Sequence, residues 1–67
     1  MNTVVAYSGN GLVFAVLNIG GDFVVAVRKH HVGLGLYQVV DVMSCEDEKD
    51  ARSSAWALSM PNGYRGV

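Results

Sequence analysis

The chain has 67 residues, 51% of them hydrophobic and 16% charged, with five Lys or Arg against six Asp or Glu for a net charge of −1. That balance fits one small domain spanning the whole sequence and excludes intrinsic disorder, and it supplies no global field to attract nucleic acid or anionic lipid. A lone cysteine, Cys45, cannot form an internal disulfide, and the longest apolar run, Leu12 to Leu17, covers about a third of a membrane span, so a cytoplasmic protein with no membrane partner is expected.

The first two-thirds of the chain reads as β. Residues 3–7 form a first strand candidate, closed by Ser8-Gly9-Asn10-Gly11, whose Asn-Gly pair is a strong signal for a two-residue hairpin. Residues 12–18 follow, then Gly20-Gly21 as a second tight turn and residues 23–29 as a third strand. His30 to Gly33 reads as a looser connection into a fourth strand over residues 34–43. Short connections make sequential strands antiparallel neighbours.

A helix is expected over residues 45–60. Ser44 stands as its N-cap with Asp47 three residues on, and Glu46, Asp47, Glu48 and Asp50 place negative charge where the helix dipole favours it. Pro61-Asn62-Gly63 stops it. The fold class is therefore α+β: a small antiparallel meander of three or four strands with one C-terminal helix packed on one face, in the order ββββα. The three-stranded variant leaves residues 3–7 irregular.

The strands are apolar on both faces. Leu12, Phe14 and Val16 oppose Val13, Ala15 and Leu17; Phe23, Val25 and Val27 oppose Val24 and Ala26. In the fourth strand, strict alternation sets Leu36, Gln38, Val40 and Val42 against Tyr37, Val39, Asp41 and Met43. The helix offers one narrow stripe, Ala51, Ala55 and Leu58, which covers a single face. The other face calls for a partner, and a homodimer through the sheet is the simplest one.

Candidate chemistry is sparse. Ser53 and Ser54 have no nearby histidine or nucleophile elbow, and Gly9-Asn10-Gly11 and Gly33-Leu34-Gly35 are hairpin fragments rather than phosphate loops. His30, His31 and Cys45 lack any ligand spacing, so neither a metal nor a cofactor is expected. Cys45 at a helix start would gain reactivity, but the carboxylates of Glu46, Asp47 and Glu48 oppose it. The chain reads as a non-enzyme.

Trp56 and Met60 lie one helical turn apart, and Tyr64 extends that line past Pro61, on a side turned away from the Ala51 stripe. With Glu46, Asp47 and Asp50 they form the candidate partner-binding surface. Arg28, Lys29, His30 and Arg65 form the alternative, a site for a small anionic ligand such as a nucleotide. The small number of cations argues against nucleic acid. The profile fits an accessory or inhibitor protein of the kind phages and mobile elements direct at host proteins, an analogy of size and not of motif.

Overall fold

The computed structural model describes residues 2–65. Four strands, β1 (Asn2–Gly9), β2 (Leu12–Ile19), β3 (Asp22–His31) and β4 (Leu36–Cys45), form one sheet in sequence order, followed by α1 (Glu48–Ser59). All three pairings are antiparallel. Residues 3–7 do form a strand, so the four-stranded version of ββββα is the one adopted. Asn10 and Gly11 have φ of 55° and 74°, and Gly20 and Gly21 have φ of 61° and 95°. Positive φ at both central residues is what a turn needs to match the twist of its flanking strands.

α1 lies across one face. Leu12, Phe14, Val16, Val25 and Val27 are buried beneath it with Ala51 and Ala55, and Leu58 packs alongside. Two alanines under the helix axis permit close approach, so the methyl-sized side chains fix the helix–sheet spacing. Truncating Phe14, which is fully buried, would remove about 3–5 kcal/mol.

Several local expectations need correction. β4 starts at Leu36, because Val32–Leu34 forms a single 3-10 turn, and it continues through Ser44 and Cys45, which pair with Val24 and Phe23. Ladder hydrogen bonds with β3 thus take the segment that local capping signals assign to the helix. α1 begins three residues later than expected, at Glu48, with Asp47 and not Ser44 as its N-cap. The Asp47 side chain accepts from the Asp50 backbone N–H at 2.8 Å, and the Asp50 carboxylate accepts from the Glu46 N–H at 3.1 Å. Cys45 is consequently a strand residue.

The faces of β4 also differ from strict alternation. Val27 pairs with Asp41 but Arg28 pairs with Val39, leaving Val40 as an extra residue in a bulge. A bulge shifts the alternation by one. Val40 and Met43 therefore pack toward the helix side, while Val42, opposite Ala26, and Val39, opposite Arg28, share the open face. Val4 is a second such extra residue, between Thr3 and Val5, and both Val4 and Val5 reach the core under α1.

On the open face, Ala15, Leu17 and Ala26 are nearly inaccessible although no helix or strand among the described residues lies over them. Their side chains are short enough, or sufficiently hemmed in by Val24 and their neighbours, to be shielded within the sheet surface. Most of the exposed apolar area on this face lies instead on the edge strand β4, at Tyr37, Val39 and Val42, with Ile19 exposed at the end of β2.

Candidate functional site

Trp56 projects from the outer side of α1 with 54% of its surface exposed. Arg52, Ser53 and Ala57 are its helical neighbours at spacings of four, three and one. Tyr7 reaches the same place from β1, because it pairs with Phe14 and so points to the helix side of the sheet. These five residues line an open depression of about 430 Å³ between α1 and β1. The Arg52 guanidinium is steadied by Glu48, which accepts from its Nε at 2.9 Å. Both side chains are partly exposed, so this pair orients Arg52 more than it stabilises the helix.

The candidate residues divide around this depression. Met60 is exposed but sits at the helix C-terminus, where its backbone N–H donates to the Ala57 carbonyl. Tyr64 does not continue the line of Trp56 and Met60. The Pro61-Asn62-Gly63 reversal, with Asn62 at φ 62° and the Gly63 N–H donating to the Met60 carbonyl at 2.8 Å, turns the chain back over the sheet. The Tyr64 ring then packs edge-on against Phe14, with centroids 5.6 Å apart, and its hydroxyl donates to Asp41 Oδ2 at 3.3 Å. Loss of hydration and the neighbouring Asp41 carboxylate push this phenol above its ordinary pKa.

Glu46, Asp47 and Asp50 lie at the far end of α1. Asp47 and Asp50 serve the capping network, so their orientation is set by the helix itself. Cys45, half-buried beside them, has its thiol pKa raised, first by burial and then by the Asp50 charge. That environment favours an inert thiol over a nucleophile.

Arg28, Lys29, His30 and Arg65 do not converge on one point. Strand alternation puts Arg28, opposite Val39, and His30, opposite Tyr37, on the open face. Lys29 faces the helix side, where it lines a second hollow, of about 290 Å³, with Asn10, Gly11, Leu12 and Tyr64. Arg65 follows Tyr64 and is exposed. His30 stacks on Tyr37 with centroids 4.5 Å apart, and His31 shares a 2.8 Å hydrogen bond with Gln38. Cys45 lies at the opposite end of β3 from both histidines.

Tyr7 and Arg52 are the participants that sequence reasoning missed. Arg52 was legible as the residue one turn before Trp56. Tyr7 was not, since its position depends on which strand α1 lies over. Compared with protein-family models, curated proteins and solved structures, the chain matches none.

Proposed function

We propose that this chain is a small non-enzymatic protein-interaction module, an accessory or inhibitor protein of the phage or mobile-element kind that binds and modulates a host protein in the cytoplasm as a homodimer. The observation carrying this reading is the Tyr7–Arg52–Trp56 depression. Trp, Tyr and Arg are the residue types that dominate binding energy at protein interfaces, and here one of each borders a single shallow surface. Arg52 and Trp56 stand on a helix rather than a loop, so little ordering is needed on binding. The open sheet face, with Val39 and Val42 exposed, is the candidate surface for self-association.

The test is affinity purification from the native host with the wild-type chain and Trp56→Ala as paired baits. A centrally placed tryptophan should account for about a 30-fold loss of partner affinity on truncation, with circular dichroism unchanged. Recovery of the same partners at equal yield by both baits would overturn the assignment of this surface.

A further inference from the structure

At the end of the sheet farthest from the helix start, β3 and β4 extend past β2 as a two-stranded arm. β2 stays paired with β3 only as far as Val13 opposite Arg28. β3 and β4 run on together through Lys29–Gln38, His30–Tyr37 and His31–Leu36, and close over the Val32–Leu34 turn. The His30–Tyr37 stack and the His31–Gln38 hydrogen bond brace the arm on both of its faces. Its tip carries Val32, Leu34 and Leu36, exposed by 81%, 73% and 60%, the three most exposed large apolar side chains among the described residues. Three such side chains at the end of a braced arm form a patch, not scattered surface residues.

The charge distribution says what this patch fits. No acidic residue occurs from Phe23 through Val40, a stretch that contains Arg28, Lys29, His30 and His31. Arg65 follows Tyr64, which shares a hollow with Lys29 at the same end. Five of the six carboxylates, Asp22, Glu46, Asp47, Glu48 and Asp50, lie at the opposite end, next to the Phe23–Cys45 pair, where Lys49 and Arg52 of α1 offset two of them and leave that end net negative. The sixth, Asp41, sits mid-sheet opposite Val27 and accepts from the Tyr64 hydroxyl. A chain near neutrality as a whole is thus polarised along its strands, with an aliphatic tip ahead of a cationic collar.

From this arrangement we infer that the arm contacts a bilayer carrying anionic lipid, with Val32, Leu34 and Leu36 entering the headgroup–acyl boundary and Arg28 and Lys29 held among the phosphates. This departs from the expectation, drawn from the net charge, of no membrane partner. The dimensions agree. At about 3.3 Å per residue the collar lies roughly 10–13 Å behind Val32, and interfacial apolar groups sit about 5–10 Å into the boundary. Tyr37, exposed between tip and collar, matches the level at which aromatic rings settle. A protein pocket is the weaker fit, because Leu and Val are under-represented among interface hot spots whereas a lipid surface needs no shape match. The membrane contact is peripheral, since no helix among the described residues is long and apolar enough to span a bilayer.

Flotation of the full chain with vesicles of phosphatidylcholine alone, or with about a third phosphatidylserine, tests this contact. The expected result is binding to the anionic vesicles that weakens at high salt, falls about tenfold or more in Leu34→Asp, and falls in Arg28→Glu/Lys29→Glu. Val32→Ser/Leu34→Ser provides a second tip variant, and circular dichroism confirms that each chain is folded. Trp56→Ala should float as the wild type does, so failure of the lipid contact and failure of the protein-interaction reading are separable. Absence of flotation by folded protein, or flotation indifferent to both tip variants, overturns the inference. Loss of a co-purifying protein in the tip variants, with no vesicle binding by the wild type, assigns the tip to a protein pocket and overturns it as well.

Discussion

The side-chain amide of Asn10 donates to the Met60 carbonyl oxygen at 2.8 Å and to that of Leu58 at 3.1 Å. Asn10 therefore serves two elements that lie 50 residues apart in sequence. Its backbone, at φ 55°, makes the β1–β2 turn, and its side chain satisfies carbonyls that the end of α1 leaves without helical partners. No basic residue in the last helical turn offers an alternative. Beside it, Gly9 brings β1 so close to the Ser59 carbonyl that a Cβ at this position would collide with it. The first hairpin and the helix C-terminus are thus locked together through backbone contact and one amide.

Asn10→Gly separates the two roles. Glycine keeps the positive φ without strain but loses both hydrogen bonds, which are solvent-exposed and together contribute about 1 kcal/mol. For a chain of this size that corresponds to a fall of about 4–8 °C in Tm. Asn10→Ala should fall further, since alanine also resists the left-handed conformation. Equal melting temperatures for Asn10→Gly and wild type would show that the bridge contributes nothing.

The helix start yields a second comparison. Asp47→Ala removes the acceptor for the Asp50 N–H and should destabilise the fold by about 1 kcal/mol. Ser44→Ala, at the position that the sequence alone nominates as N-cap, should change stability by less than about 0.5 kcal/mol, because Ser44 is an exposed strand residue. Urea denaturation of the two variants decides between them. A larger loss from Ser44→Ala would restore the earlier helix start.

The contrast between Ser44 and Asp47 also shows where sequence reasoning stops. Both residues satisfy capping rules. What separates them is the pairing of Ser44 with Val24, a contact between residues 20 apart that no local pattern encodes. The hairpin turns were legible because Asn10-Gly11 and Gly20-Gly21 carry their own conformational preference. The Ala51–Ala55–Leu58 stripe was legible because a helical period is local. The bulge at Val40 was not, since it is a property of the ladder, and it reverses the face of Val42. Trp56 and Arg52 could be placed from the helix alone. Tyr7 needed the sheet order, and the arm needed the unequal lengths of β2 and β3.

Alkaline pH should weaken the fold through Tyr64. Its folded pKa is raised above the ordinary value of 10.0, by lost hydration and then by Asp41. The folded state therefore holds this proton more tightly than the unfolded chain, so its contribution is complete below about pH 10 and is lost as pH climbs through the folded value. Cys45 acts in the same direction from about 9.0, for reasons of burial and the Asp50 charge. In a Cys45→Ala background, Tyr64→Phe keeps the ring against Phe14 and removes the titrating hydroxyl. Urea midpoints followed into alkali should then decline later than with Tyr64 intact. Superimposable profiles would show that the contact with Asp41 does not govern this limb.

Self-association through the open face is open to a direct test at Val42. This residue stands opposite Ala26 on the uncovered side of the edge strand and is 57% exposed. A lysine there lays its aliphatic stem beside Ala26 with its ammonium in solvent, and should leave the unfolding free energy of the monomer within about 0.5 kcal/mol of wild type. In a dimer packed through this face, the same substitution places two charges in or beside the apolar contact and shifts the equilibrium toward monomer. Sedimentation equilibrium should show the wild type as a concentration-dependent dimer and Val42→Lys as predominantly monomeric. The wild-type Tm should rise with protein concentration while that of Val42→Lys stays constant, because association stabilises only the folded chain. A wild-type chain that sediments as a monomer at tens of micromolar would remove the dimer, and with it the need to cover this face; the small side chains of Ala15 and Ala26 would then suffice to keep the sheet surface dry.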